Sequence, residues 1–69
     1  MPVITVQITN EGNTPEQKAE LIRGMTDVIV RVLNKPPALT HVLIEEVPLD
    51  NWGVAGLPTQ EFRKQSTIH

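Results

Sequence analysis

The chain has 69 residues, among them six Lys and Arg against eight Asp and Glu, so its formal net charge is −2 at pH 7. This balance argues against a nucleic-acid partner and against a polybasic membrane anchor, and no apolar run approaches the ~20 residues of a membrane span. The chain has no Cys and only two His, which excludes disulfide bonds and thiolate metal sites, so we expect no metal centre.

Residues 2–9 predict the first strand. Ile4, Val6 and Ile8 alternate with polar residues and fall on one face. This N-terminal segment has no basic region and soon becomes polar, unlike a signal peptide, so we expect a cytoplasmic protein. Residues 10–13 predict a turn, in which Gly12 and the two Asn can adopt positive φ.

A long amphipathic helix is predicted over residues 14–34. Thr14 suits the N-cap, Pro15 the first helical position, and Gln17 completes a capping box. Close packing against a sheet would explain Gly24 in the middle of the helix. Asn34 can end the helix in the left-handed region. Apolar residues recur with the period of one helical face, at Leu21, Ile22, Met25, Val28, Ile29, Val32 and Leu33.

The remaining residues predict shorter elements. Residues 40–47 predict a second strand, residues 48–51 a turn, and residues 52–56 a small hairpin. Residues 57–69 have mixed polarity, which predicts an edge strand or a loose tail. Strand, helix and strand in this order are typical of a βαβ unit. We therefore expect a single α/β domain over residues 1–69, with two parallel strands and a C-terminal hairpin.

The small size of the chain predicts an oligomer. A domain of this length buries only about 60% of its unfolded surface and is marginally stable alone. One helix covers only one face of a two-stranded sheet, so the other face must meet a second subunit. We expect a homo-oligomer in which each dimer has a four-stranded sheet carrying two helices.

Pro2 is a candidate general base. The initiator Met is normally removed when the next residue is as small as Pro, which would give Pro2 a free secondary amine. An α-amino group has a pKa of about 7.7–8.0, and apolar neighbours lower it further, so such an amine can accept a proton near neutral pH. Alternatively, Pro2 merely starts a strand, and this residue taken alone favours that structural interpretation.

Pro2 occurs together with three distinctive segments, EGNTPEQK (11–18), VLIEEV (42–47) and DNWGVAG (50–56). Each is weak alone, but in this order and spacing they make the chain resemble the 4-oxalocrotonate tautomerase family. The resemblance implies a β-α-β protomer, a dimer with a four-stranded sheet and commonly a hexamer built as a trimer of dimers. It also implies an active site shared between subunits and catalysis by the amino-terminal proline, with no metal or organic cofactor.

The resemblance assigns roles to four residues. Pro2 matches the catalytic proline, and Trp52 matches an active-site aromatic residue that forms an apolar wall and lowers the proline pKa; Trp52 can also plug a subunit interface. Asn13 and His41 stand where the type member has arginines that grip a dicarboxylate. We expect Asn13 and His41 to contact substrate there, the alternatives being a turn asparagine in the left-handed region and an ordinary strand histidine. Loss of both arginines predicts a different substrate.

Other charged residues receive structural interpretations. Glu45 and Glu46 point to opposite faces of a strand, which excludes a carboxylate dyad, and one of them is a candidate for an inter-subunit hydrogen-bond network. Arg63 and Lys64 predict a solvated edge, the alternative being that one of them folds over the pocket to bind a carboxylate. His69 is expected to be disordered.

We therefore predict a cofactor-independent tautomerase that acts on a small-molecule enol or 2-oxo acid, with Pro2 as general base. Two alternatives remain. A free prolyl amine can also activate water on a haloacrylate or form iminium adducts with aldehydes, which would give a hydratase, a dehalogenase or a carbon–carbon bond-forming enzyme. Loss of the arginines instead favours a non-catalytic oligomer subunit or a small-ligand binding module.

Overall fold

The computed structural model of the protein describes residues 1–65; His69, for which disorder was expected, lies outside the described residues. Two parallel strands, β1 (Val3–Thr9) and β2 (His41–Val47), form a sheet and are connected by helix α1 (Pro15–Leu33). The register runs from Val3 opposite His41 to Thr9 opposite Val47. The β-α-β arrangement with parallel strands is confirmed.

Helix α1 begins and ends as its sequence predicts. The Thr14 hydroxyl accepts from the Gln17 N–H at 3.1 Å, and the Gln17 side chain accepts from the Thr14 N–H at 2.9 Å, which completes the capping box. At the other end, Asn34 adopts the left-handed region with φ 57°, and its N–H donates to the carbonyl of Val30. Among the described residues, no helix is long and apolar enough to cross a membrane.

The two faces of the sheet have different environments. Alternate residues of β1 and β2 are half-buried, and the Lys18–Glu46 ion pair shows that this face meets α1. On the opposite face, Gln7 donates to Glu45 at 3.0 Å, and Leu43 is 48% exposed. One face of the sheet is therefore covered by α1 and the other is open, as the alternation in the sequence predicted.

The part of the protomer that the structure describes forms no closed apolar core. No apolar side chain is buried among residues 1–65. The Cα radius of gyration is 15.6 Å, against about 11 Å for a compact chain of this length. Five residues of the predicted helical stripe are between 36% and 64% exposed, namely Ile22, Met25, Val28, Val32 and Leu33. The apolar stripe of α1 is thus wider than the two-stranded sheet can cover.

The C-terminal part contains a hairpin and a second helix. Strands β3 (Gly53–Val54) and β4 (Leu57–Pro58) pair antiparallel around a turn at Ala55 and Gly56, which have φ values of 54° and 82°. Two consecutive positive φ values are typical of a type I′ turn. The prediction of an edge strand or loose tail over residues 57–69 is wrong for residues 59–65, because Thr59–Gln65 forms helix α2; residues 66–69 lie outside the described residues. Its acidic first turn and basic last turn suit the helix dipole.

Candidate active site

Pro2 and His41 lie side by side at the N-terminal edge of the parallel sheet. The N–H of His41 donates to the carbonyl of Pro2 at 3.0 Å, which follows from the pairing of His41 with Val3. Pro2 is half-buried and His41 is exposed, while Met1 is 80% exposed. With Met1 attached, the Pro2 nitrogen is an amide; removal of Met1 would leave a secondary amine at this edge.

Asn13 lies at the opposite edge of the sheet, in a polar cluster. Its amide nitrogen donates to the carbonyl of Thr9 at 2.9 Å and to Glu46 Oε2 at 3.1 Å, so both amide N–H groups are used inside the protomer. Lys18 forms an ion pair with Glu46. The hydrogen bond from Lys18, followed by that from Asn13, lowers the pKa of the Glu46 carboxyl below its usual range.

This cluster bears on the expectations for Asn13 and for the two glutamates. The alternative role of Asn13, a turn asparagine in the left-handed region, is wrong, because Gly12 takes the positive φ (82°) and Asn13 does not. Within the protomer Glu46 binds Asn13 and Lys18, and Lys18 is a partner that sequence reasoning missed; a network between subunits for Glu45 or Glu46 stays a prediction. Glu45 and Glu46 do lie on opposite faces, as predicted.

Trp52 is held through its backbone by the C-terminal elements. Its N–H donates to the carbonyl of Leu49 at 3.2 Å, and its carbonyl accepts from both the N–H and the hydroxyl of Thr59, at 2.9 and 2.5 Å. Thr59 is 4% exposed and is the one buried polar residue among residues 1–65. The side chain of Trp52 is half-buried. The backbone of Trp52 is therefore fixed on both sides, and its indole is partly free to bound a pocket or an interface.

Arg63 on α2 binds Glu11 in the turn after β1. The two guanidinium nitrogens donate to the two carboxylate oxygens at 2.6 and 3.2 Å, and the Thr9 hydroxyl also donates to Glu11. The hydrogen bond from Arg63 and then that from Thr9 lower the pKa of Glu11 from 4.5 to about 2. Lys64 lies 3.6 Å from Glu61 and is exposed, as expected for a solvated edge.

The four predicted site residues fall into two groups. Pro2 and His41 are at the N-terminal edge of the sheet, whereas Asn13 follows the C-terminal end of β1 and Trp52 follows that of β2. A strand of seven residues rises by ~20 Å, and α2 ties the Trp52 segment to Glu11 at the C-terminal edge. One protomer therefore brings Pro2 and His41 together and leaves Asn13 and Trp52 at the other edge.

An open cavity of about 630 Å³ runs along α1, away from Pro2, His41 and Trp52. Its lining is largely apolar and includes Ile8, Leu21, Gly24, Met25 and Val28. Within the protomer Gly24 does not pack closely against the sheet, because apart from its chain neighbours and the adjacent helix backbone no atom lies within 4 Å of the position a Cβ would take. Within residues 1–65, no group of three His, Asp or Glu side chains is placed to hold a metal ion.

Comparison with known proteins shows the class to which this fold and sequence belong. Residues 2–61 match the Tautomerase family, described as tautomerase enzymes. "Probable tautomerase K2" of Dickeya dadantii (strain 3937) is 46% identical over 67 residues, covering 97% of this chain and 100% of that one. A 2-hydroxymuconate tautomerase of Comamonas testosteroni is 39% identical over 52 residues, covering 75% and 82%.

A solved structure gives the same result for the fold. The heterohexamer 4-oxalocrotonate tautomerase of Chloroflexus aurantiacus J-10-fl superposes with a TM-score of 0.81 at 33% identity, covering 91% of this chain and 100% of that chain. The chain belongs to the 4-oxalocrotonate tautomerase family, and it is an enzyme, a tautomerase. Family membership thus decides against the non-catalytic alternative.

Proposed function

We propose that this tautomerase interconverts the enol and keto forms of small 2-oxo acids or related ketones, with Pro2 as general base. The position of Pro2 carries the proposal. Pro2 lies directly before β1, its carbonyl accepts a hydrogen bond from the N–H of His41 on β2, and Met1 is largely exposed. An exposed Met1 is accessible to an aminopeptidase. Its removal would leave a prolyl amine held at the edge of the sheet.

The proposed reaction moves one proton within the substrate. From an enol the neutral Pro2 amine removes the hydroxyl proton, and from a ketone it removes a proton α to the carbonyl; in both cases the resulting enolate carries its charge on oxygen. A hydrogen-bond donor must stabilise that oxygen, and exposed His41 beside Pro2 is the nearest candidate side chain of the predicted set. The prolinium then returns the proton to carbon, next to the carbonyl or, in a conjugated dienolate, at a more distant position, so substrate and product are isomers and no co-reactant is consumed.

A complete pocket requires a second protomer. Trp52 is fixed near the C-terminal edge of its own sheet, ~20 Å from the edge that carries Pro2. A Trp52 that walls the Pro2 site would therefore come from another subunit, where its indole excludes water and favours the neutral amine. Asn13 would reach substrate only through its amide oxygen, because both amide N–H groups are already bonded.

We propose that the assembly is a homo-hexamer. The lack of any buried apolar side chain among residues 1–65 supports oligomerisation, because such a protomer has little hydrophobic stabilisation of its own. The open cavity along α1 and the uncovered sheet face offer two surfaces for subunit contact. The related enzyme of Chloroflexus aurantiacus J-10-fl is a heterohexamer. The cytoplasmic location expected from the N-terminal segment stays a prediction.

Blocking the Pro2 amine tests the proposal. Intact mass first establishes whether Met1 is removed. A Gly inserted between Met1 and Pro2 converts the Pro2 nitrogen into an amide, and kcat/KM for phenylenolpyruvate should fall by about 10²- to 10⁴-fold, the usual contribution of a general base. The matched control carries the same Gly after His69 and should retain full activity. Equal turnover by the two insertions would refute Pro2 as the base.

A further inference from the structure

Thr59 holds the backbone of Trp52 in place through two hydrogen bonds. It is a polar residue with 4% exposure, whereas no apolar side chain of the described part of the chain is buried. Both its N–H and its hydroxyl donate to one acceptor, the carbonyl of Trp52, at 2.9 and 2.5 Å. The first residue of α2 therefore holds the backbone of the only Trp in the chain.

The other end of α2 is attached to the sheet. Arg63, one helical turn after Thr59, binds both carboxylate oxygens of Glu11, which lies two residues beyond the end of β1. Among the side-chain and backbone hydrogen bonds of residues 1–65, this pair alone joins α2 to the βαβ unit. Because guanidinium and carboxylate are both planar, the two parallel hydrogen bonds fix the orientation of Arg63 relative to Glu11 as well as their distance.

We propose that Glu11, Arg63 and Thr59 are positioning residues that set the orientation of the Trp52 indole relative to the sheet. A helix of seven residues is not stable by itself, so α2 needs its attachments at both ends. Exposed ion pairs contribute little to global stability. The main effect of the Glu11–Arg63 pair is therefore on where Trp52 lies.

This inference rests on the proposed function only for its kinetic consequence. If Trp52 walls the Pro2 site of a neighbouring subunit, a displaced indole admits water to the amine and misplaces the substrate. Small displacements of groups around a reacting centre can reduce rates by about 10²-fold. The pKa of the Pro2 amine should also rise, because water in the site stabilises the charged amine better than an apolar environment does.

The experiment uses Trp52 as its own probe, because a single Trp makes intrinsic fluorescence report on this residue. Glu11→Gln and Arg63→Gln should each shift the emission to longer wavelength and lower kcat/KM by about 10- to 100-fold. The matched control is Lys64→Gln, the next residue on α2, whose pair with Glu61 is confined to that helix. It should leave emission and kcat/KM unchanged.

Rescue variants distinguish an effect on the orientation of Trp52 from a general loss of folding. The double variant Glu11→Arg with Arg63→Glu re-forms the pair with its charges exchanged and should recover most of the emission and activity. Thr59→Ser keeps the hydroxyl and should resemble the parent, whereas Thr59→Val should shift the emission. Unchanged emission in Glu11→Gln and Arg63→Gln would overturn the inference. If the parent protein did not turn over enols, the proposed function would be refuted. The fluorescence of the variants would still show whether Glu11, Arg63 and Thr59 position Trp52.

Discussion

Replacing His41 by arginine should increase turnover of a dicarboxylate enol more than that of a monocarboxylate enol. His41 is exposed and adjoins Pro2 through a hydrogen bond of 3.0 Å, so an arginine there would extend from the edge that carries the proposed base. A charge-assisted hydrogen bond to a carboxylate contributes about 1.5–3 kcal/mol. That free energy corresponds to a rise in kcat/KM of about 10- to 150-fold.

The same substitution at Asn13 should gain much less. The Asn13 amide bonds Thr9 and Glu46, and Glu46 is also paired with Lys18. An arginine at this position would compete with Lys18 for the Glu46 carboxylate instead of reaching substrate. It would also remove two hydrogen bonds worth about 0.5–1.5 kcal/mol each, so the variant should be less stable.

The assay is the ratio of kcat/KM for 2-hydroxymuconate to kcat/KM for phenylenolpyruvate. The parent should have a low ratio, because neither Asn13 nor His41 supplies the permanent charge of an arginine. His41→Arg should raise the ratio by about 10- to 150-fold, and the neutral control His41→Gln should leave it unchanged. Efficient isomerisation of 2-hydroxymuconate by both the parent and His41→Gln would refute this reasoning.

Three further predictions concern assembly and stability. Gly24→Ala adds a methyl group in the cavity along α1, where no atom lies within 4 Å apart from the chain neighbours and the adjacent helix backbone. Helix propensity favours alanine by about 1 kcal/mol, yet sedimentation at micromolar concentration should show weaker association if a subunit covers this surface. Ala55→Asn should raise the urea midpoint by the equivalent of about 1 kcal/mol, because Ala55 has φ 54° and Asn tolerates that region better. Lowering the pH from about 4.5 to about 2 should change Trp52 emission. The pKa of Glu11 is lowered in the folded state, so the ionised carboxylate stabilises the fold above pH 4.5, and this stabilisation is lost as Glu11 is protonated towards pH 2.

Each of these has a clear contrary result. A folded parent monomer, or a Gly24→Ala variant that is more stable and associates as tightly as the parent, would show that no subunit covers the cavity. A urea midpoint lower in Ala55→Asn than in Ala55→Val would contradict the strain assigned to Ala55. Glu11→Gln should abolish the acid-dependent part of the Trp52 signal, and a variant with the same acid profile as the parent would exclude Glu11 as its origin.

The helix and the strands could be predicted because local contacts determine them. The capping box of α1 joins Thr14 and Gln17, three residues apart, and the end of the helix depends on the φ of Asn34 and its bond to Val30. The strands follow from an alternation of two residues. The adjacency of Pro2 and His41 then follows from parallel pairing, because the first residues of both strands meet at one edge.

The C-terminal helix and the polar clusters could not be predicted in the same way. Helix α2 has seven residues, too few for a periodic apolar pattern, and its contact between Arg63 and Glu11 spans 52 residues of sequence. The bond from Asn13 to Glu46 spans 33 residues. Such contacts depend on how the elements pack, and the placement of Trp52 against Pro2 depends in addition on how protomers assemble.

The most direct test of the account is an NMR titration of the Pro2 nitrogen in protein labelled with ¹⁵N-proline, compared with the pH dependence of kcat/KM. We expect a free prolyl amine whose pKa lies below the ordinary value of about 7.7. The acidic limb of the kcat/KM profile should have the same midpoint, since the neutral amine is the base. A Pro2 nitrogen that does not titrate in active protein, or that titrates without any matching change in turnover, would contradict the assignment of Pro2 as the catalytic base.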